Sequence, residues 1–119
     1  MICGSYLTGQ SDIAADVRQD TIHRGRPTDA PALIVGARLG GPADQRFNAM
    51  PLGADAKRKW DAIEPDVVKR IIAYGDCMVL TVTLKYRGVD TRPLEAQWLL
   101  EKTGPREHFV ANGTVVNSN

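Results

Sequence analysis

The two histidines are the side chains of this sequence best suited to moving a proton near neutral pH. His23 ends the tetrad Asp20-Thr21-Ile22-His23, and His108 opens an apolar segment close to the C-terminus. A histidine acts as a general base on water only when it lies within hydrogen-bonding distance of that water. His23 precedes Arg-Gly-Arg-Pro, a sequence typical of an exposed connection. We therefore expect both histidines at the surface and keep His23 only as a second choice for a general base.

Basic side chains form the second group that could do chemistry, because they can neutralise a phosphate. The candidates for phosphate contact are Arg38 and the consecutive residues Lys57, Arg58 and Lys59, the last three expected in the first turn of a helix. A basic patch favours a polyanion. The chain as a whole is balanced, with 15 basic and 14 acidic residues and a net charge of +1. A phosphate-binding surface and a solvated basic face are thus both open.

The length of 119 residues predicts a single domain that spans residues 1–119. The first residues lack the basic and apolar regions of a signal peptide, and no apolar run approaches the ~20 residues that span a bilayer. We therefore expect no signal peptide and no membrane association. The spacing of Cys3 and Cys77 gives no indication of a disulfide. Cys77 is expected to be a small buried hydrophobic residue in a reducing compartment.

The pattern of apolar residues predicts helices first and strands later. Residues 1–26 should form a short helix (Ser11 to Arg18) and a loop, and residues 32–39 should form a buried strand. A helix should run from Ala54 to Ala73, kinked or restarted at Pro65 and closed by Gly75.

Alternation with period two then predicts three antiparallel strands, within residues 77–88, 95–102 and 108–112. Residues 113–119 are expected to be a flexible tail. Helices and strands do not alternate, so the predicted class is α+β. Trp60 and Trp98 both occupy apolar phases of this pattern and are expected to pack in the core.

Two stretches of the chain carry a collinear set of residues that resembles a known family. The first contains Asp29, Gly40, Gly41, Asn48, Pro51, Trp60 and Glu64, and the second contains Tyr86, Gly88, Arg92 and Pro93. In this order and near this spacing, they resemble the DNA/RNA non-specific endonuclease domains at the C-termini of bacterial polymorphic and type VII secretion toxins. The resemblance covers about residues 27–112, most of the chain.

The resemblance implies a ββα-metal core, also called a His-Me finger. The strand of residues 32–39 and the kinked helix would face one Mg²⁺, and the C-terminal meander would pack on that helix. In such enzymes a histidine activates a water molecule, and an asparagine on the helix side ligates the metal, so that the phosphodiester is attacked and its charge neutralised.

This sequence departs from the family at both of these positions. The histidine position falls on Ala32 when counted from Asp29, and on Leu33 when counted back from Gly40. The asparagine that would ligate the metal maps near Ala56. Asn48 is a second choice for a metal ligand, its alternative role being to brace a turn. The chain as it stands is thus expected to hold no cofactor, although the family uses Mg²⁺.

The sequence therefore predicts a catalytically degenerate or inactivated nuclease-like domain, which would bind DNA, RNA or a protein partner such as a host factor or an immunity protein. One alternative is an active Mg²⁺-dependent endonuclease toxin that uses displaced residues. Another is a small inhibitor or adaptor built on a nuclease scaffold. The expected location is the cytoplasm, or a target cytoplasm reached by a secreted effector.

Overall fold

In the described part of the chain, three α-helices and two antiparallel sheets make up the fold, which confirms the α+β prediction. The computed structural model describes residues 2–3, 7, 12–74, 77–102 and 108–118. In chain order the elements are α1 (Ala15–Arg24), β1 (Ala30–Leu33), β2 (Ala49–Leu52), α2 (Ala54–Asp61), α3 (Ile63–Tyr74), β3 (Met78–Lys85), β4 (Glu95–Lys102) and β5 (His108–Val116). None of these helices is long and apolar enough to cross a membrane.

Strands β1 and β2 form a separate two-stranded sheet in which Pro31 faces Pro51. The predicted strand of residues 32–39 was too long, because the chain leaves β1 after Leu33. It then forms a 3₁₀ turn at Ala37–Leu39, followed by Gly40 in the left-handed region, with a φ of 90°. Strand β2 was not predicted at all, since a proline inside a short apolar run argues against a strand. Its four residues are all buried.

The predicted helix from Ala54 to Ala73 is two helices, which is a restart and not a kink. α2 ends at Asp61, and α3 begins at Ile63. The ring of Pro65 would collide with the carbonyl of Asp61 in a continuous helix. In the first turn of α3 the missing N–H of Pro65 costs nothing, because donors there have no intrahelical partner. The predicted cap at Gly75 lies outside the described residues.

The C-terminal meander is confirmed as a three-stranded antiparallel sheet in the order β3-β4-β5. The prediction of a flexible tail is wrong over residues 113–116, because β5 continues to Val116, which pairs with Glu95. The sequence Asn-Gly-Thr gave no indication of a strand, since glycine and asparagine are poor strand formers. Asn117 beyond it is buried, with 5% of its surface exposed.

The N-terminal helix is also displaced from its prediction. α1 runs from Ala15 to Arg24, whereas Ser11, the predicted cap, lies outside the described residues. Val17 and Thr21 form its buried side, one turn apart, and the Thr21 hydroxyl donates to the carbonyl of Val17 at 2.7 Å. This bond satisfies the Thr21 hydroxyl inside the fold. Because threonine is polar, the buried side of α1 does not show in the sequence as a row of apolar residues.

The two cysteines form a disulfide, so the prediction of a free Cys77 is wrong. Ile2 and Met78 exchange backbone hydrogen bonds of 2.6 and 2.7 Å, and this bridge brings Cys3 opposite Cys77, with 4.0 Å between their Cα atoms. A separation of 74 residues gave no local signal for this contact. The bond fastens Cys3 to the residue that immediately precedes β3.

A buried ion pair joins the approach to β1 to the β3–β4 connection. Arg92 donates from Nε and Nη2 to the two carboxylate oxygens of Asp29, at 2.6 and 3.0 Å. Only 1% of the Asp29 side chain is exposed, so its carboxylate is shielded from solvent. Arg92 also donates to the backbone oxygen of Asn117, at 2.9 Å. Three distant parts of the chain therefore meet at one guanidinium group.

Asn117 completes this polar network with its own amide. Its Nδ2 donates to the carbonyls of Pro51 and Pro93, at 3.1 and 2.8 Å, and its Oδ1 accepts from the N–H of Gly53 at 2.9 Å. The backbone N–H of Asn117 donates to the carbonyl of Leu94. These bonds hold the end of β5 against the junction between β2 and α2.

Reduction of the disulfide should destabilise the domain without unfolding the sheet. Closing a loop of this length contributes about 2–4 kcal/mol through the unfolded chain. We expect urea denaturation with dithiothreitol to give a free energy of unfolding lower by that amount. Cys3→Ser should match the reduced protein and show no further response to dithiothreitol. Equal stability of the oxidised and reduced wild type would contradict the bond.

The ion pair predicts a pH-dependent loss in Asp29→Asn. Burial alone would raise the pKa of Asp29, but the hydrogen bonds from Arg92 and the N–H of Arg26, with the two positive charges, lower it below its ordinary value of 3.8. A carboxyl with a lowered folded-state pKa stabilises the fold above its ordinary value, and this contribution disappears as the pH falls through the lowered pKa.

Asp29→Asn should accordingly cost about 2–4 kcal/mol at pH 7, because it leaves the Arg92 charge without its partner. The difference from wild type should shrink below pH 3.8 in urea denaturation series. Asp44→Asn, which changes an exposed loop carboxylate, serves as the control. A difference that does not depend on pH would show that charge is not the cause.

Candidate functional site

The β1–β2 hairpin and α2 bring together Ala32, one of the two candidate positions of the missing histidine, and Ala56, the position of the missing metal ligand. Ala32 on β1 and Ala56 on α2 belong to one buried apolar cluster, with 2% and 0% of their surfaces exposed. The order strand, strand, helix is the one that the resemblance implies. Neither methyl group offers a lone pair, so the residues present at these two positions do not fit a magnesium ion or a general base.

Trp60 fixes the distance between the helix and the hairpin. Its indole Nε1 donates to the carbonyl of Leu33 at 2.9 Å, while its rings lie in the same buried cluster as Ala32 and Ala56. The predicted contact between β1 and the helix that bears Trp60 is therefore confirmed. Leu33 itself is half-buried, and it lies beside the cleft described next.

A cleft of about 420 Å³ opens beside this contact. β1 forms one wall, and apolar side chains from the helices and the sheet form the floor; they are Trp60, Ile63, Leu80, Val82 and Trp98. Gly113 makes room for Trp98, because a Cβ there would lie 2.6 Å from the indole Nε1. The volume and the apolar floor are typical of ligand-binding clefts.

Charged side chains surround the mouth of the cleft, and acids and bases balance there. Five of them line it: Asp12, Arg18, Lys57, Asp61 and Glu64. Lys57 pairs with Asp61, at 2.5 Å between Nζ and Oδ2. Three acidic and two basic groups leave this rim close to neutral, so it does not by itself attract a strong anion.

The remaining basic residues of α2 are also paired. Arg58 and Lys59 both contact the carboxylate of Asp55, with 3.0 Å between Lys59 Nζ and Asp55 Oδ2. Because α2 is only eight residues long, Arg58 and Lys59 lie in its last turn and not in a first turn as predicted. Positive charge is favourable at that end of a helix.

Glu64 lies at the back of the rim and holds the 3₁₀ turn. Its carboxylate accepts the N–H of Arg38 and packs directly against Gly36, so that a Cβ at position 36 would displace the carboxylate. Burial raises the pKa of Glu64 above its ordinary value, and the charge of Asp61 adds to the rise, while the charge and N–H of Arg38 oppose it. Arg38 is thus tied to a carboxylate and is half-buried.

Asn48 braces the loop that follows β1. Its Oδ1 accepts from the N–H of Val35 at 2.9 Å, and its Nδ2 donates to the carbonyls of Val35 and Pro42, at 2.9 and 3.1 Å. Gly41 allows this close packing, because a Cβ there would lie 1.9 Å from the carbonyl oxygen of Val35. These bonds match the bracing role that the sequence left open beside metal ligation.

The displaced histidine does not reach the cleft. His23 is exposed in the last turn of α1 and is not among the residues that line the cleft. The side chain of His108 lies outside what the structure describes. Within the described part of the chain, no group of three or more His, Cys, Asp or Glu residues is placed to hold a metal ion.

Sequence reasoning missed that Trp98, Leu80 and Val82 line a cleft together with β1. Their alternation indicated burial in the core, but all three are only half-buried, because the same face of a sheet can close a core or leave a cavity. No model of a known protein family matches the chain, and a search of curated proteins finds no match. The nuclease resemblance of residues 27–112 therefore stays a prediction.

Proposed function

We propose that the chain is a catalytically inactive, nuclease-like domain that works by binding a partner instead of cleaving nucleic acid. The observation that carries the proposal is the meeting of Ala32 and Ala56 in one buried cluster, beside a cleft whose floor is apolar. In the family that the sequence resembles, those positions would supply a base and a metal ligand. Here they supply packing, while the cleft beside them stays open to a ligand.

Purified protein should not nick plasmid DNA or degrade RNA above background with Mg²⁺ or Mn²⁺. Loss of a general base removes a factor of roughly 10²–10⁴ in rate, and loss of a metal ligand adds to it. The double variants Ala32→His with Ala56→Asn and Leu33→His with Ala56→Asn test the two candidate histidine positions, and cleavage by one of them would show which position once held the base. Metal-dependent cleavage by wild type that disappears in His23→Ala or His108→Ala would overturn the proposal.

Nucleic acid is the second candidate partner, and one feature of α2 supports it. Arg58 and Lys59 share the single carboxylate of Asp55, and their side chains are 75% and 59% exposed. One positive charge is therefore uncompensated on this surface. Binding by so small an excess should be weak and mainly electrostatic.

A titration of single-stranded DNA at several salt concentrations measures this contribution. The logarithm of the binding constant should fall with the logarithm of salt concentration with a slope of about −1, since roughly one counterion is released per phosphate contact. Lys57→Glu with Arg58→Glu should flatten the slope, while Lys69→Glu, on the exposed part of α3, should leave it unchanged. Undetectable binding at low salt would leave a protein as the partner.

A further inference from the structure

The prolines of the hairpin determine which backbone groups point away from it. Pro31 and Pro51 lie opposite each other and neither has an N–H, so they form a pair without mutual hydrogen bonds. The N–H of Ile34 donates to the carbonyl of Asn48 at 2.8 Å, which fixes the same alternation. The backbone groups of Pro31 and Leu33 on β1 therefore point away from β2.

Side chains cover most of the outward-pointing carbonyls of this hairpin. Trp60 donates to Leu33 at 2.9 Å, Arg24 Nη2 donates to Ala49 at 2.9 Å, and Asn117 Nδ2 donates to Pro51 at 3.1 Å. Each of these donors comes from a different element. Single side chains thus satisfy the carbonyls at the hairpin edges, whereas in a larger sheet further strands would do so.

One short stretch of this edge is left open. Among the described residues, no hydrogen-bond partner is found for the carbonyl of Pro31 or for the N–H of Leu33. The five consecutive residues 30–34 all line the cleft, so both groups belong to the stretch of β1 that borders it. In a parallel sheet, the carbonyl of one residue and the N–H two residues later both bond to a single residue of the neighbouring strand. The carbonyl of Pro31 and the N–H of Leu33 have this spacing, and the residue that would bind both lies opposite Ala32.

We propose that this free edge of β1 binds an extended peptide segment of a protein partner, which runs parallel to β1 along the cleft. The residue opposite Ala32 donates its N–H to the carbonyl of Pro31 and accepts the N–H of Leu33. Strand addition of this kind takes its affinity from backbone bonds and its specificity from alternate side chains. The inference rests on the proposed binding function and names its partner.

The surroundings of the edge select the side chain that enters the cleft. The floor is apolar and carries Trp60 and Trp98, and the rim is balanced because Lys57 is already paired with Asp61. A neutral apolar side chain on the bound peptide therefore fits best. A phosphate backbone would meet no excess of positive charge there, because three acidic and two basic side chains line the cleft.

The test removes one backbone donor and keeps the strand. Leu33→Pro deletes the N–H that would bind the peptide, and proline is tolerated where an N–H points away from the partner strand, as Pro31 shows. Leu33→Ala removes the same side chain and keeps the N–H, so it is the matched control. Thermal unfolding of the two variants establishes that both are folded. The probe is a positional library of N-acetylated, C-amidated hexapeptides of uncharged residues, and a single-stranded DNA 12-mer is tested as competitor.

We expect the library to yield peptides with an apolar central residue that bind wild type and Leu33→Ala alike. Leu33→Pro should bind them at least about tenfold more weakly, and N-methylation of the central peptide residue should have the same effect on wild type. Equal binding by Leu33→Pro and Leu33→Ala, no enriched peptide, or displacement of the peptide by the DNA would each overturn the inference. The plasmid assay is independent, so an inactive protein that binds no peptide would refute this inference alone.

Discussion

The bidentate ion pair between Asp29 and Arg92 is the constraint on which the arrangement of the two sheets depends. Asp29 immediately precedes β1, whereas Arg92 lies between β3 and β4, so the pair ties the hairpin to the meander. Asn117 adds the end of β5 to the same network and reaches the carbonyl of Pro51 on β2. A carboxylate so buried is stable only with such a partner. Position 29 therefore has a structural role.

With the hairpin held in this way, α2 can lie against β1 and create both the core and the cleft. Trp60 contributes to each, because its rings pack with Ala32 and Ala56 while its N–H binds the carbonyl of Leu33. The small side chains at positions 32 and 56 allow this close packing. In the proposed function, the alanines at positions 32 and 56 can neither accept a proton nor ligate a metal, and their small side chains leave an apolar cleft open beside them. The loss of catalysis and the binding surface would then have the same cause.

Pro31 and Pro51 lack an N–H, and side chains from other elements bind most of the carbonyls that point away from the hairpin. A short two-stranded sheet exposes backbone groups on both sides, and unpaired strand edges invite pairing with other chains. Here Trp60, Arg24 and Asn117 each satisfy one outward carbonyl. The groups that remain at Pro31 and Leu33 belong to residues that line the cleft, where we propose that an extended peptide binds. In this proposal, most of the hairpin edge is protected from pairing with other chains, while one stretch of β1 remains able to bind a peptide.

The sequence by itself determined the α+β class, the three C-terminal strands, the burial of Trp60 and the break near Pro65, because these depend on local periodicity and on the chemistry of one residue. It also determined that positions 32 and 56 carry no proton acceptor. Only the tertiary structure decided the pairing of β2, the continuation of β5 to Val116, the bond between Cys3 and Cys77 and the ion pairs that neutralise Lys57, Arg58 and Lys59. Most of these are contacts between residues far apart in the chain, and the pairs on α2 depend on where that helix ends. Local patterns do not record which distant donor meets which acceptor.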